Sequence, residues 1–169
     1  MKCPHCDHEN IPGADVCEEC HQPLDHLSEP EPASVIEQRL LSDPVRSLQP
    51  KKPITVTPDT PVREAVQMMV RQRLGCVPVV EADRLVGIFS ERDVLLRIGP
   101  EMASQGDRPV RDFMTPDPET LYMDNTIVYA LHKMDVGGYR HLPILDKQTK
   151  KVAGIISVRD ILNYLTANL

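Results

Sequence analysis

The spacing of apolar residues changes along the chain, and the changes mark out its elements. Val62, Ala65, Val66, Met69 and Val70 recur at helical spacing behind Asp59-Thr60-Pro61, which predicts a helix over 61–73. The apolar runs 77–80 and 85–89 read as strands joined by a turn at 81–84, and 54–57 is a shorter β-type run. A further helix is predicted to start near Ser90, with Val94, Leu95 and Ile98 as its apolar face. The same succession then returns: a short strand near Leu121, a helix over 126–134, strands over 142–145 and 152–156, and a helix from Ser157. Each unit reads as β-α-β-β-α. Ahead of both, Val35, Ile36, Leu40 and Leu41 predict a short helix that ends before Pro44.

The returning pattern is a repeat of residues as well as of elements. Pro44-Val45-Arg46 reappears as Pro109-Val110-Arg111, and Thr55, Asp59, Ala65, Met69 and Pro78 as Thr120, Asp124, Ala130, Met134 and Pro143, all offset by 65. The segment GIFSERD from Gly87 matches GIISVRD from Gly154 at an offset of 67, so the second copy carries two more residues, placed in its turn at 146–151. A unit of this size that occurs twice is a duplicated module whose halves pack on each other. The organisation expected is a metal-binding segment at 1–27, a Pro/Glu linker and short helix at 28–43, repeat one at 44–108 and repeat two at 109–169.

Composition narrows the picture. With two Phe, four Tyr and no Trp, the core rests on Val, Ile, Leu and Met. The start Met1-Lys2-Cys3-Pro4-His5 lacks the apolar stretch of a signal peptide, and no apolar run is long enough to span a membrane, so the chain reads as cytoplasmic. The net charge of −6 is uneven: Asp7, Glu9, Asp15, Glu18, Glu19 and Asp25 face Lys2 alone in the N-terminal segment, while the repeats are nearly neutral. Ser28-Glu29-Pro30-Glu31-Pro32 has the composition of an extended spacer.

Cys3-x-x-Cys6 and Cys17-x-x-Cys20 have metal-ligand spacing, because two thiolates two residues apart wrap a tight turn around one ion. Two such turns make a tetrahedral S₄ site, and so short a segment depends on the metal for its fold. Zinc is expected, and iron in the same ligand set would make the site redox-active. Asp7 and His21 follow the second cysteine of each pair, where a positive φ helps, a conformation that Asp and His tolerate better than most residues. Cys76, alone in an apolar run, reads as a buried inert thiol.

GIFSERD and GIISVRD, preceded by CVPVV and HLPIL, resemble tandem cystathionine-β-synthase (CBS) domains, a Bateman module, over about residues 44–169. With the cysteine pairs in front, the chain is similar to prokaryotic zinc-ribbon CBS proteins. The resemblance implies a mixed α/β fold: two β-α-β-β-α repeats packed as a pseudosymmetric pair behind a small metal-bound ribbon. It also implies a regulatory module that binds AMP, ADP, ATP or S-adenosylmethionine and signals to a protein partner in trans. On that resemblance Asp93 and Asp160 hold ribose hydroxyls, and Ser90 and Ser157 touch ribose or phosphate. Adenine lies against Thr55, Val56, Val77 and Pro78 in repeat one, and against Thr120, Leu121, Leu142 and Pro143 in repeat two. Arg140 and His141 stand where repeat one has Gly75 and Cys76, which makes the second cleft the more polar.

Local sequence leaves Ser-x-x-Asp open between two roles. It is a capping box, in which serine and aspartate satisfy each other's backbone N–H at a helix start. It is equally a ligand site, since a helix N-terminus attracts phosphate and a fixed carboxylate accepts ribose hydroxyls, with Arg92 and Arg159 within reach of phosphate oxygens. A non-binding homodimerisation scaffold is the competing function, and the apolar helix faces with Met68, Met69 and Met134 point to a homodimer in either case. Nucleic acid is disfavoured by the acidic ribbon, and an iron-based redox role is the remaining alternative. No nucleophile–base pair or phosphate-cradling loop suggests an enzyme.

Overall fold

A computed structural model describes residues 1–24 and 34–168; the spacer 28–32 expected from sequence lies outside them. The elements are α1 (Val35–Ser42), α2 (Val62–Gln72), β1 (Cys76–Glu81), β2 (Arg84–Ser90), a three-residue α3 (Glu91–Asp93), α4 (Met102–Gln105), β3 (Thr115–Pro116), β4 (Leu121–Tyr122), α5 (Ile127–Gly137), β5 (His141–Leu145), β6 (Val152–Ser157) and α6 (Val158–Ala167). Two three-stranded sheets run in the orders β1-β2-β3 and β4-β5-β6. This is the mixed α/β class that the periodicity indicated.

Local chemistry sets the ends of these elements. The Ser34 side chain accepts from Glu37 N at 3.1 Å to start α1, and Asp43 turns extended ahead of Pro44 to end it. Thr126 caps α5 by accepting from Tyr129 N, and Gly138, at φ 62, closes it in the left-handed region. The β1–β2 turn puts Ala82 and Asp83 at positive φ. The two extra residues of the second copy do lie in its hairpin, where Asp146 Oδ1 accepts from Thr149 N at 2.7 Å and Gln148 N at 3.1 Å.

Two expectations need correction. The helix predicted from Ser90 is only the short α3, which widens into a π-turn over Val94–Ile98. Ile98 is buried and Val94 packs against the core, but Leu95 is 72% exposed, and its repeat equivalent Leu162 in the regular helix α6 is exposed as well, so this position lies off the core-facing stripe in both copies. The run 54–57 is not a strand: Val56 alone makes a parallel bridge, donating to Pro78 O at 3.1 Å and accepting from Val80 N at 2.8 Å.

The chain divides into two compact units, one of residues 1–50, 121–142 and 156–169, the other of 51–120 and 143–155. Their make-up reveals an exchange that the linear repeat hides. Val45 N donates to Asn125 O at 2.7 Å and Arg46 N to Met123 O at 3.0 Å; in the other unit Val110 N donates to Thr60 O at 2.9 Å and Arg111 N to Pro58 O at 3.0 Å. Each bond in the first pair maps onto one in the second through the offset of 65. The segment that leads into each repeat in sequence thus seats on the helix start of the other. β3, from the same lead segment, completes the sheet of β1 and β2.

Packing follows that exchange. In the unit built on repeat one, Val56, Val62, Ala65, Met69, Val77, Val79, Phe89 and Ile98 form one core with Val110 and Phe113 from the following lead segment. In the other unit Leu121, Ile127, Tyr129, Ala130 and Ile161 are fully or almost fully buried, as is Val45. Among the described residues no helix is long and apolar enough to cross a membrane.

Candidate functional site

The N-terminal cysteines come together as their spacing predicts. Two equivalent knuckles hold them: Cys3 N donates to His8 O and Asp7 N to Cys3 O, while Cys17 N donates to Gln22 O and His21 N to Cys17 O. Asp7 and His21 take φ values of 64 and 57, the left-handed turn expected after each pair. Cys3 and Cys20 sulfurs lie 3.6 Å apart, as do those of Cys6 and Cys17, and all four fall within 4.8 Å of one another. A tetrahedral ion with metal–sulfur bonds of about 2.3 Å holds its ligands at separations of this size, so the donor set fits a metal such as zinc.

The thiols also differ in a way that suits metal capture. Burial opposes ionisation of Cys17, but hydrogen bonds to its sulfur from the Cys20 backbone, the Asn10 side chain and the Glu19 backbone outweigh it and bring it down to about 6. Burial pushes the Cys20 and Cys6 thiols up instead. Metal binding displaces the protons of the ligating thiols, so acid competes with the metal for this site. Cys76 matches its reading as an inert thiol, since burial and then the charges of Glu91 and Asp93 push it up to about 12.

Both Ser-x-x-Asp segments form complete capping boxes. Ser90 Oγ lies 2.6 Å from Asp93 Oδ2, which also accepts from Ser90 N at 2.9 Å. Ser157 Oγ lies 2.6 Å from Asp160 Oδ2, which accepts from Ser157 N at 2.7 Å. Replacing Ser157 with Ala is expected to cost about 1 kcal/mol of stability, measured as a shift in urea midpoint.

Beyond the caps the two copies part. Asp93 is buried; its Oδ1 pairs with Arg97 Nε at 3.4 Å and lies 3.5 Å from the Thr115 hydroxyl. Arg97 is itself held by the carbonyls of Phe113 and Met114, at 2.6 and 2.8 Å. Tyr164 stands where Arg97 would be in the second copy, and its hydroxyl is turned to Asp43. Among the described residues Asp160 bonds only Ser157, through Oδ2, and is half-buried, so Oδ1 is open. The helices differ as well: α6 runs ten regular residues, whereas α3 breaks after three. Arg140 and Arg159 are exposed, and Arg140 O accepts from Val158 N at the first turn of α6.

The remaining candidates fall as follows. Thr55 and Val56 line a surface pocket of about 670 Å³ with Thr57, Val80, Ala82 and Asp83. Val77 and Pro78 are buried in β1, and Arg92 is exposed beside the first cap. Leu121, Arg140, His141, Leu142, Ser157, Arg159 and Asp160 share one compact unit, while Thr120 and Pro143 fall in the other. Sequence reasoning missed Arg97, and the signal was available: a basic residue four positions after the aspartate in one copy and a tyrosine in the other.

Comparison with known proteins agrees with this fold. The CBS domain matches residues 45–99 and 110–167. The CBS domain-containing protein CBSCBSPB1 of Arabidopsis thaliana is 36% identical over 102 residues, which is 60% of this chain but 19% of that protein, so the chain spans about a fifth of that relative's length. The crystal structure of the CBS-domain containing protein ATU1752 from Agrobacterium tumefaciens superposes with a TM-score of 0.64 at 26% identity, over 71% of this chain and 94% of that one. CBSX2, solved in complex with AMP, shares the fold with a TM-score of 0.63 at 22% identity, over 74% and 97% of the two chains.

Proposed function

The chain belongs to the CBS-domain family, and from that premise we propose that it is a regulatory module binding an adenosine nucleotide (AMP, ADP, ATP or S-adenosylmethionine) at its second Ser-x-x-Asp site. The observation that carries this reading is the open Oδ1 of Asp160 set against the engaged Oδ1 of Asp93. A ribose diol needs a carboxylate oxygen that is fixed but not already paired. Asp160 is fixed by Ser157 through one oxygen and offers the other; Asp93 has both oxygens in use.

Phosphate recognition favours the same copy. The N-terminus of α6 presents the end of a full helical dipole, with Arg140 and Arg159 beside it. At the first copy Gly75 stands in the place of Arg140, so one of the two cations is missing. Leu121, His141 and Leu142 would take the adenine from the strand edges.

Isothermal titration with AMP should give one site per chain. Asp160→Asn should weaken binding at least tenfold, and Asp93→Asn should change it less than twofold while lowering the melting temperature. Equal losses in both variants would sink the assignment to the second copy. Heat absent with every adenosine nucleotide would leave a homodimerisation scaffold.

The homodimer is part of the same proposal. Val70, Leu95 and Leu96 in one unit, and Val136, Val158 and Leu162 in the other, are exposed apolar residues, with Leu95 and Leu162 at equivalent repeat positions. A second copy of the chain covering them removes apolar surface from water in both repeats. Leu95→Glu is expected to shift the mass by light scattering from dimer to monomer without loss of folded structure. The metal is zinc in this reading; with the ribbon it completes a module that reports its ligand to a protein partner in trans.

A further inference from the structure

The ribbon is seated on the second repeat by residues of its own metal loops. Pro4 and His5 lie between Cys3 and Cys6; Asn125 Nδ2 donates to Pro4 O at 2.7 Å, and the His5 and Tyr122 rings lie 5.7 Å apart. From the other knuckle Gln22, whose carbonyl accepts from Cys17 N, places its side-chain oxygen 3.4 Å from the Tyr129 hydroxyl. Asn125 is the centre of the seat. It is 2% exposed, its Oδ1 accepts from Tyr122 N at 2.7 Å, and its carbonyl accepts from Val45 N.

The duplication supplies an independent control for what these residues are for. Tyr122, Asn125 and Tyr129 occupy the places of Thr57, Thr60 and Glu64 in the first repeat. Thr57 and Glu64 are exposed, whereas Tyr122 is 7% and Tyr129 0% exposed. The second repeat therefore carries two buried tyrosines and a buried amide, at the positions that meet the ribbon, where the first repeat has two threonines and a glutamate. Lys133, in the place of Met68, is buried with its ammonium 5.2 Å from the Tyr129 ring.

We infer that metal occupancy of Cys3, Cys6, Cys17 and Cys20 controls the order of β4 and α5, which makes the ribbon an internal effector of the second repeat. The buried residues that cluster within the ribbon are Cys3, Cys17 and Leu24, too few to hold its fold without a metal. When the metal leaves, Pro4, His5 and Gln22 lose their fixed positions, and the amide of Asn125 and the face of Tyr129 lose their cover. Leu121, next to Tyr122 in β4, is one of the proposed adenine contacts, so the same loss reaches the nucleotide site. That last link rests on the second-copy reading above; the control of β4 and α5 does not. Linkage requires the effect to be mutual, with bound nucleotide raising metal affinity by the same factor.

Hydrogen exchange on the full-length chain tests the inference directly, comparing zinc-loaded protein with protein stripped by a chelator under reducing conditions. Amides of residues 121–134 should lose protection at least tenfold, while the equivalent amides 56–69 keep theirs. Unchanged exchange at 121–134, or equal loosening in both repeats, overturns it. Cys17→Ser should reproduce the stripped pattern without chelator. The variant Asn125→Thr/Tyr129→Glu, which restores first-repeat residues, should retain one zinc by metal analysis yet show the same loosening; full protection there also overturns the inference. AMP titrated into loaded and stripped protein should bind at least about fivefold more weakly to the latter. Equal affinities sink the linkage, and no binding to loaded protein sinks the nucleotide reading while the exchange result still decides the rest.

Discussion

Cys17→Ser is expected to abolish metal binding and unfold the N-terminal segment. Structural zinc in small S-ligated modules contributes on the order of 10–16 kcal/mol of apparent free energy at neutral pH, far more than a core of Cys3, Cys17 and Leu24 supplies. Cys17 is the informative position because its thiol is the one brought down to about 6 and is bonded by Asn10 Nδ2. Metal analysis of protein purified without added metal should find one zinc per wild-type chain and none in the variant. A coloured, iron-containing protein would replace zinc with iron and reopen a redox role. Acid should release the metal from wild type, since protons compete for every thiolate.

Phe113→Ala is expected to cost about 3–5 kcal/mol, and its location makes it more than a core truncation. Phe113 follows the start of the second repeat in sequence, yet it is 7% exposed in the core formed by Val62, Ala65, Met69 and Phe89 of the first. Arg108 lies over its ring at 5.0 Å. A small domain has only about 5–15 kcal/mol to lose, so the unit of residues 51–120 and 143–155 should be severely destabilised. Hydrogen exchange should show the loss first at 62–69 and 76–90. Loosening confined to 121–168 would contradict the exchange of lead segments between the repeats.

Much of the architecture was open to sequence reasoning because its causes are local. Helical spacing from Val62 to Val70, the caps at Ser34 and Thr126 and the paired Cys-x-x-Cys turns act over a few residues and need no knowledge of distant contacts. The apolar character of Leu95 suits a core face as well as an exposed one, and the equivalent Leu162 is exposed in the same way, so residue type alone does not separate the two. Tyr122, Asn125 and Tyr129 were legible in principle, since aligning the two copies shows aromatic and amide residues replacing Thr57, Thr60 and Glu64. What they face could not be read from that alignment.

The amino-acid sequence by itself determined the duplication, the α-β-β order within each copy, the four-cysteine cluster and the paired Ser-x-x-Asp segments, because each depends on residue type at fixed short spacing. Tertiary structure alone decided three further matters. Lead segments seat on the opposite repeat, since Val45 and Val110 find their backbone partners about 80 and 50 residues away. Asp93 is engaged and Asp160 open, because Arg97 meets Phe113, Met114 and Thr115 only once the chain has folded back. The ribbon docks on the turn between β4 and α5 because Pro4 and Asn125, far apart in the chain, complete each other's hydrogen bonding.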